Sequence, residues 1–343
     1  TGKHVYPGFI APNTTLGLIE IEAVRATNDM REVGSFNPSL RSIIAYNTDS
    51  DITPTVRSNG VLMAQVVPRG GRISGQSTVV QLDAWNWEDA AYATDSGLHL
   101  NWPRMFSWWG NRKNEDYEKQ KDELINHFKE AQAYAKKTNV TEKNLKLDAL
   151  KGLFDKSKTL YVHTDNVKQM TEAVLMASEF DLRMVIVGGK DAWMIADLLK
   201  ESNIPVILGN TQSLPSRADS DIDEPFKAAP SLEKAGVLYC FSMVGAWEQR
   251  NLPFQAGQAV GYGLDGEDAV QALTLNTAKI LGIDKTVGSL EIGKEATLFI
   301  SEGDALDMRT CKLTHAFING RSIDLDNKQK ALYRKFKGKY DRE

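Results

Sequence analysis

The sequence predicts an α/β fold in which short buried strands alternate with helices and close into a barrel. Apolar runs at 182–187 and 204–208 are each followed by glycine, as is typical of strands buried on both faces. Each run precedes a stretch with helical spacing of apolar residues. Four such units follow one another, with strands 160–163, 182–187, 204–208 and 236–241 and helices 166–180, 191–201, 226–234 and 267–281. Successive strand–helix units predict a parallel sheet, and four in a row with short strands favour a closed barrel over an open sheet.

The first half of the chain is less regular. Its predicted strands are 8–10, 61–67 and 77–82. The stretch from about 111 to 158 reads as a helical excursion between barrel strands, because residues 115–135 combine an apolar helical stripe with many charges. We interpret this excursion as a solvated lid or packing helix rather than a partner surface.

The last part of the chain changes character. Residues 287–300 and 312–323 alternate between apolar and polar, which predicts strands outside the barrel. Residues 327–340 are rich in lysine and predict an exposed basic helix.

Composition places the chain among ordinary globular proteins. Of its 343 residues, 42% are hydrophobic and 25% are charged, and the net charge is −4. Acids and bases are mixed, which argues against a nucleic-acid surface or a polybasic membrane patch. No apolar run approaches the ~20 residues of a membrane span. Cys240 reads as a buried thiol, and a disulfide with Cys311 stays open. The compartment is unknown; because the chain starts at Thr1 without Met, export with an N-terminal segment absent from this chain is one reading.

Several motifs resemble one known family. Residues 7–18 read PGFIAPNTTLGL, residues 276–300 read NTAKILGIDKTVGSLEIGKEATLFI and residues 317–321 read FINGR. These strings are similar to the barrel entry, barrel exit and closing strand of the amidohydrolase superfamily. The segments NIPVILGN and RNLPF, at 203–210 and 250–254, resemble its imidazolonepropionase-like branch.

The resemblance implies a distorted (β/α)8 TIM barrel with a small composite β-sandwich. The barrel would span 8–285, the sandwich 1–7 and 286–325, and a basic tail 326–343. In the family both chain ends build the sandwich, and here the N-terminal strands are missing from the chain. We therefore expect the strands within 287–323 to lack partners and to expose unpaired edges.

The resemblance also implies a metal site and shows how this chain departs from it. Family members hydrolyse C–N bonds other than peptide bonds with one or two divalent metals, usually zinc, held at the C-terminal ends of barrel strands. The His-x-His pair of strand one falls on Asn13 and Thr15, and the histidine of strand five is retained as His163. The histidine of strand six falls on Gly188, and the aspartate of strand eight falls near Met243 or Val244. We therefore predict no metal and no other cofactor, and a pseudoenzyme.

Other candidates come from the residues themselves. Of five histidines, only His163 and His99 could approach a barrel mouth. The loop 68–77 carries Arg69, Gly70, Gly71 and Arg72, whose cations and backbone N–H groups could bind an anion; a flexible surface turn is the alternative. Five tryptophans could line a pocket or pack in the core, namely Trp85, Trp87, Trp102, Trp108 and Trp109.

Three functions stay open. The first is a metal-deficient pseudoenzyme that serves as a structural or regulatory partner, as a homo-oligomer or in a complex with a related intact amidohydrolase. The second is an active amide or cyclic-amide hydrolase with a non-standard site that uses His163 and an acid such as Asp165. The third is a small-molecule binding module that keeps the family pocket without the chemistry. No nucleic-acid partner and no membrane span are expected.

Overall fold

The computed structural model describes residues 2–106, 112–137, 141–215, 217 and 219–341. Within these ranges the strands form two sheets, one of eight strands and one of four. The strands are β1 (His4–Pro7), β2 (Phe9–Thr14), β3 (Val61–Val66), β4 (Ile73–Gln81), β5 (Ala91–Asn101), β6 (Thr159–Thr164), β7 (Met184–Gly188), β8 (Val206–Leu208), β9 (Tyr239–Phe241), β10 (Leu298–Ser301), β11 (Leu313–Ile318) and β12 (Arg321–Ser322).

The α-helices lie mainly between the barrel strands and after them. They are α1 (Thr53–Arg57), α2 (Trp87–Ala90), α3 (Tyr117–Ala135), α4 (Leu145–Phe154), α5 (Val167–Glu179), α6 (Ala196–Glu201), α7 (Glu224–Ala235), α8 (Leu252–Val260), α9 (Gly266–Leu273), α10 (Leu275–Leu281) and α11 (Lys328–Tyr340). Short 3₁₀ helices occupy Arg25–Thr27, Ser42–Ala45, Ala192–Ile195 and Trp247–Asn251.

The eight-stranded sheet is a nearly closed barrel with strand order β2-β3-β4-β5-β6-β7-β8-β9. Neighbouring strands are parallel except at β4, which runs antiparallel to β3 and to β5. The fold class predicted from the sequence is therefore confirmed, and the reversed strand is the distortion. Where the first and last strands meet, the Thr14 hydroxyl donates a hydrogen bond of 3.2 Å to the Gly245 carbonyl oxygen.

Two layers fill the inside of the barrel. The lower layer is apolar and takes one or two side chains from most strands: Ile10, Met63, Val79, Tyr161, Val185, Val187, Ile207 and Cys240. The layer above it, toward the C-terminal ends of the parallel strands, is polar and contains Gln65, Ser77 and His99, each fully buried. Because buried polar groups need hydrogen-bond partners, this upper layer has to form a network.

Local signals place the helix ends. The side chains of Asn144, Asn166, Asp265 and Asn327 accept backbone N–H bonds at the N-termini of α4, α5, α9 and α11. Glycines in the left-handed conformation, Gly236 and Gly282, end α7 and α10.

Several predicted bounds were wrong. The helix predicted over 267–281 is two helices, α9 and α10, because Thr274 has φ −129° and ψ −91° and breaks the helical path. The strand predicted over 77–82 already begins at Ile73, so the glycine-rich loop is shorter than expected. The strand predicted over 287–300 is confined to β10, and β5 and α8 were not predicted.

The four-stranded sheet corrects a further expectation. Its order is β1-β10-β11-β12, and β1 pairs antiparallel with β10, Val5 opposite Ile300. Residues 4–7 thus supply a partner that we expected to be missing, and Tyr6 stacks on Phe299 at 5.3 Å between ring centroids. The described residues form one antiparallel sheet here rather than the two layers of a sandwich.

The remaining predictions on segments have mixed outcomes. Helices α3 and α4 occupy the predicted excursion, whose first residue, 111, lies outside the described residues. The predicted basic helix is α11, none of whose side chains is buried. Both cysteines are free thiols, Cys240 buried and Cys311 partly buried. None of the helices in the described ranges has the length and apolar character that a membrane crossing requires.

Candidate functional site

A chain of hydrogen bonds runs through the polar layer at the barrel mouth. The Nε2 atom of His163 lies 2.9 Å from Nδ1 of His99, whose Nε2 lies 2.9 Å from the Ser77 hydroxyl. The Gln65 amide donates to the same hydroxyl at 3.1 Å, and its oxygen accepts the backbone N–H of Asn13 at 3.1 Å. The network therefore connects the ends of β2, β3, β4, β5 and β6.

The two histidines are held neutral. Burial and, to a smaller extent, the Arg69 guanidinium lower the pKa of His163 to about 3. Burial, His163 and Arg69 lower the pKa of His99 well below its usual value. A single proton can lie between the two facing nitrogens, because two N–H groups would repel each other. His99 also stacks on Tyr161 with the rings nearly parallel, 4.8 Å apart, which fixes its orientation.

Arg69 fills the space next to the first family ligand position. Its Nη1 donates to the side-chain oxygen of Asn13 at 2.7 Å, and its Nη2 donates to the backbone oxygen of the same residue at 2.6 Å. Asn13 has φ 55°, a left-handed conformation that asparagine tolerates better than most residues. Burial and the nearby Arg31 lower the pKa of Arg69 to about 10, so Arg69 remains a cation at neutral pH.

The other family ligand positions carry no metal-binding group. Thr15 is buried, and Met243 is buried with its carbonyl oxygen accepting the Gln249 amide at 2.9 Å. The neighbouring Val244 is 65% exposed. Gly188 has φ 101°, and a Cβ atom there would lie 2.6 Å from the Asp165 carboxylate. A histidine at this position would therefore need both a strained backbone and a displaced aspartate.

The residues present do not fit the family metal. In the described ranges no group of three or more His, Cys, Asp or Glu side chains is placed to hold a metal ion. His163 points a ring nitrogen at His99, and a guanidinium stands beside Asn13. Neutral amide and hydroxyl groups are weak ligands for zinc compared with imidazole or thiolate.

The predicted anion-binding loop is packed against the segment that follows β2. The Arg72 guanidinium bonds to the Asn101 carbonyl and the Gln120 side chain, each at 2.9 Å. Gly71 has φ 65°, and a Cβ there would lie 2.8 Å from the Ser35 carbonyl oxygen. Gly70 faces the aliphatic part of Arg31. Arg69 and Arg72 therefore contact different parts of the protein. Of these two arginines, only Arg69 reaches the histidine network.

Asp165 is the acid nearest to His163 in the chain. Its side chain is exposed at the mouth, yet the surrounding protein desolvates it enough to raise its pKa, against the effect of Lys190. Its carboxylate accepts the backbone N–H of Lys190 at 3.4 Å.

The tryptophans do not act together. Trp102 is buried and donates to the Tyr117 hydroxyl at 3.1 Å, whereas Trp85 is 90% exposed. Trp87 is partly buried against the core, and Trp108 and Trp109 lie outside the described residues. The sequence analysis missed Gln65 and Ser77. For Gln65 the signal available was a single polar residue in the otherwise apolar strand β3, whereas Ser77 lies in a strand with several polar residues and gave no such signal.

Comparisons with known proteins agree with this fold. A model of the amidohydrolase family matches residues 114–323. The chain is similar in structure to an amidohydrolase from Thermotoga maritima MSB8, with a TM-score of 0.82 and 24% identity over 94% of this chain and 88% of that one. A Xaa-Pro dipeptidase with bound methionine has a TM-score of 0.55 and 14% identity, over 94% and 87% of the two chains.

One curated relative adds a sequence match. Amidohydrolase tasK of Hapsidospora irregularis is 30% identical over 113 residues, which are 30% of this chain and 12% of that protein's length. The family match itself extends over more than half of this chain, through α3, the barrel strands from β6 onward and the strands of the second sheet as far as residue 323. The chain belongs to the amidohydrolase family.

Proposed function

We propose that this protein is an amidohydrolase-family pseudoenzyme: it keeps the barrel but has lost metal-dependent hydrolysis of C–N bonds, and it acts as a structural or regulatory partner. The observation that carries the proposal is the Arg69–Asn13 pair, in which a guanidinium bonds to both the side chain and the backbone of the first family ligand position. A fixed cation there opposes the binding of a divalent metal.

The histidines support the same proposal. A metal-binding imidazole needs a free ring nitrogen directed at the ion. In the hydrogen-bond network Nε2 of His163 faces His99, and both nitrogens of His99 have protein partners. These contacts use Nε2 of His163 and both ring nitrogens of His99 for hydrogen bonds within the protein.

Metal content tests the proposal. Protein expressed with added zinc and purified without chelator should contain less than about a tenth of an equivalent of metal by elemental mass spectrometry, since neutral amide and hydroxyl groups bind zinc weakly. It should also fail to hydrolyse amide and lactam substrates. An intact family member treated in the same way is the control. One equivalent of zinc together with turnover would refute the proposal.

A separate observation supports the role as a structural or regulatory partner, and a separate measurement tests it. The segment that follows β2 exposes Ile21 and Val24, whose backbones are joined by a hydrogen bond, and also Val33, which is 88% exposed; exposed apolar groups of this kind can mark an interaction surface. We propose a homo-oligomer or a complex with a related intact amidohydrolase. Light scattering of the purified protein, alone and mixed with such a relative, should give a mass above that of one chain.

A second candidate is an active hydrolase with a non-standard site. Asp165 favours it, because this carboxyl is exposed at the mouth two residues after His163 and has a raised pKa, as a general acid or base often has. In that case His163→Ala would abolish a metal-dependent activity. The third candidate is a module that binds a small molecule without chemistry. The positive charge of Arg69 at the barrel mouth supports this candidate.

A further inference from the structure

Arg69 is a desolvated cation for which the described residues provide no acidic partner. Both of its hydrogen bonds go to neutral oxygens of Asn13. In the described part of the chain no carboxylate forms an ion pair with it, and the charged side chain that acts on it is another cation, Arg31. Buried charges in folded proteins are usually paired, since an unpaired one has lost its hydration without compensation.

The surroundings do not supply the missing negative charge. His99 and His163 are neutral, and Arg69 lowers the pKa of each. Asp165 is influenced by Lys190 and Arg104 rather than by Arg69. The charge at this part of the mouth is therefore positive.

The guanidinium can still accept a ligand. A guanidinium carries five N–H donors, and the two bonds to Asn13 leave others for a bound group. Arg69 as a whole residue is only partly buried, so part of its surface remains accessible. Arg31 is exposed, its backbone pairs with that of Arg69, and its side chain lies over Gly70. The aliphatic part of the Arg31 side chain therefore lies beside the loop that carries Arg69, and the Arg31 charge acts on Arg69.

We propose that this edge of the mouth binds a small carboxylate, with Arg69 as the main contact and Arg31 as a second cation. A planar carboxylate matches the fork of a guanidinium and forms two parallel N–H···O bonds with it. A ligand with one negative charge is sufficient, because only one cation of the pair, Arg69, is desolvated and needs compensation. The exposed Arg31 is already hydrated. This inference adds a ligand class to the proposed function and does not depend on the metal content.

Asn13 provides a sharp test. Asn13→Asp changes an amide nitrogen into a charged oxygen on a side chain that already lies 2.7 Å from Arg69, and no hydrogen bond of that amide nitrogen is lost among the described residues. Aspartate tolerates the left-handed backbone as asparagine does. The variant therefore carries its own carboxylate in contact with the guanidinium and should no longer need an external one.

The probes are sodium acetate and sodium propionate, compared with sodium chloride at equal ionic strength and pH 7.5. The melting temperature of the wild-type protein should rise saturably with either carboxylate, by about 2–5 °C at high occupancy. Asn13→Asp should start at the same or a higher melting temperature and lose this response. Arg69→Met should also lose it, while Arg309→Met, at an 85% exposed side chain paired with Asp307, should keep it.

Three outcomes would overturn the inference: no response beyond that to chloride, an unchanged response in Asn13→Asp, or an unchanged response in Arg69→Met. Stoichiometric zinc in a protein that still shows the Asn13-dependent response would refute the proposed function and leave this inference standing. Absence of both zinc and the response would refute this inference and leave the proposed function standing.

Discussion

Arg69 is the cation next to the polar residues of the mouth. It holds Asn13, and burial, assisted by the Arg69 charge, keeps His99 and His163 neutral. A neutral histidine pair that is bonded internally and faces a fixed cation is suited to holding strands together and to meeting an anion. Nε2 of His163 would have to leave His99 before that nitrogen could coordinate a metal.

The backbone at Gly188 disfavours any residue with a side chain. Gly188→Ala should lower the free energy of unfolding by about 1–3 kcal/mol, because φ 101° strains any L side chain and the new Cβ would lie 2.6 Å from the Asp165 carboxylate. Urea denaturation measures the change.

Gly209→Ala is the matched control for that substitution. A Cβ there meets its nearest neighbour, the Cα of Gly188, at an ordinary 3.5 Å, and we expect a change within about 0.5 kcal/mol. Equal stabilities of the two variants would contradict the role assigned to the Gly188 backbone.

Helix α8 is the element through which the barrel packs against the connection between two strands of the second sheet. It packs where the connection between β10 and β11 passes over it, and Leu306 in that connection is buried. A Cβ added at Gly257 would overlap the Leu306 carbonyl oxygen. The close approach of helix and connection therefore depends on a residue without a side chain.

Gly257→Ala should accordingly destabilise the protein by about 1–3 kcal/mol, since the helix would have to move away from the connection. Gly266→Ala, at the first position of α9, has no atom within 4 Å of the new Cβ and should be neutral or stabilising by up to about 1 kcal/mol. Thermal unfolding of the two variants would show the difference. A Gly257 variant as stable as the Gly266 variant would mean that the two parts do not pack as described.

The buried histidine pair affects the stability of the whole molecule. In the unfolded chain a histidine has a pKa near 6.5, whereas in the folded protein the pKa of His163 is about 3. Between these values the unfolded state binds more protons, so lowering the pH favours unfolding. Above pH 6.5 both states are neutral at this residue and the effect disappears.

We therefore expect the free energy of unfolding to fall as the pH drops from 7.5 to 4, by up to about 1.4 kcal/mol per pH unit for each such histidine. His163→Gln should give a shallower pH dependence, because one of the two neutral imidazoles is removed. Carboxylates contribute equally to both proteins, so the difference between the two slopes reports on His163. Identical slopes in urea titrations at several pH values would contradict the buried, neutral state.

The sequence by itself determined the α/β class, the order of the strand–helix units after residue 159 and the resemblance to the family. These features depend on local periodicity or on contiguous motifs, which can be read without knowing what packs against what. Buried strands such as β7 and the capped helices α5 and α11 belong here, since their signals lie within their own residues.

Only the tertiary structure decided the direction of β4, the pairing of β1 with β10 and the contacts at the mouth. Arg69 meets Asn13 across 56 residues and His99 meets His163 across 64. No local pattern specifies such partners, because they follow from how the strands align in the barrel and from which polar groups must be satisfied once water is excluded. The loop 68–77 was predicted from the sequence as an anion site. The tertiary structure adds that its Arg69 contacts Asn13 next to the polar layer of the barrel.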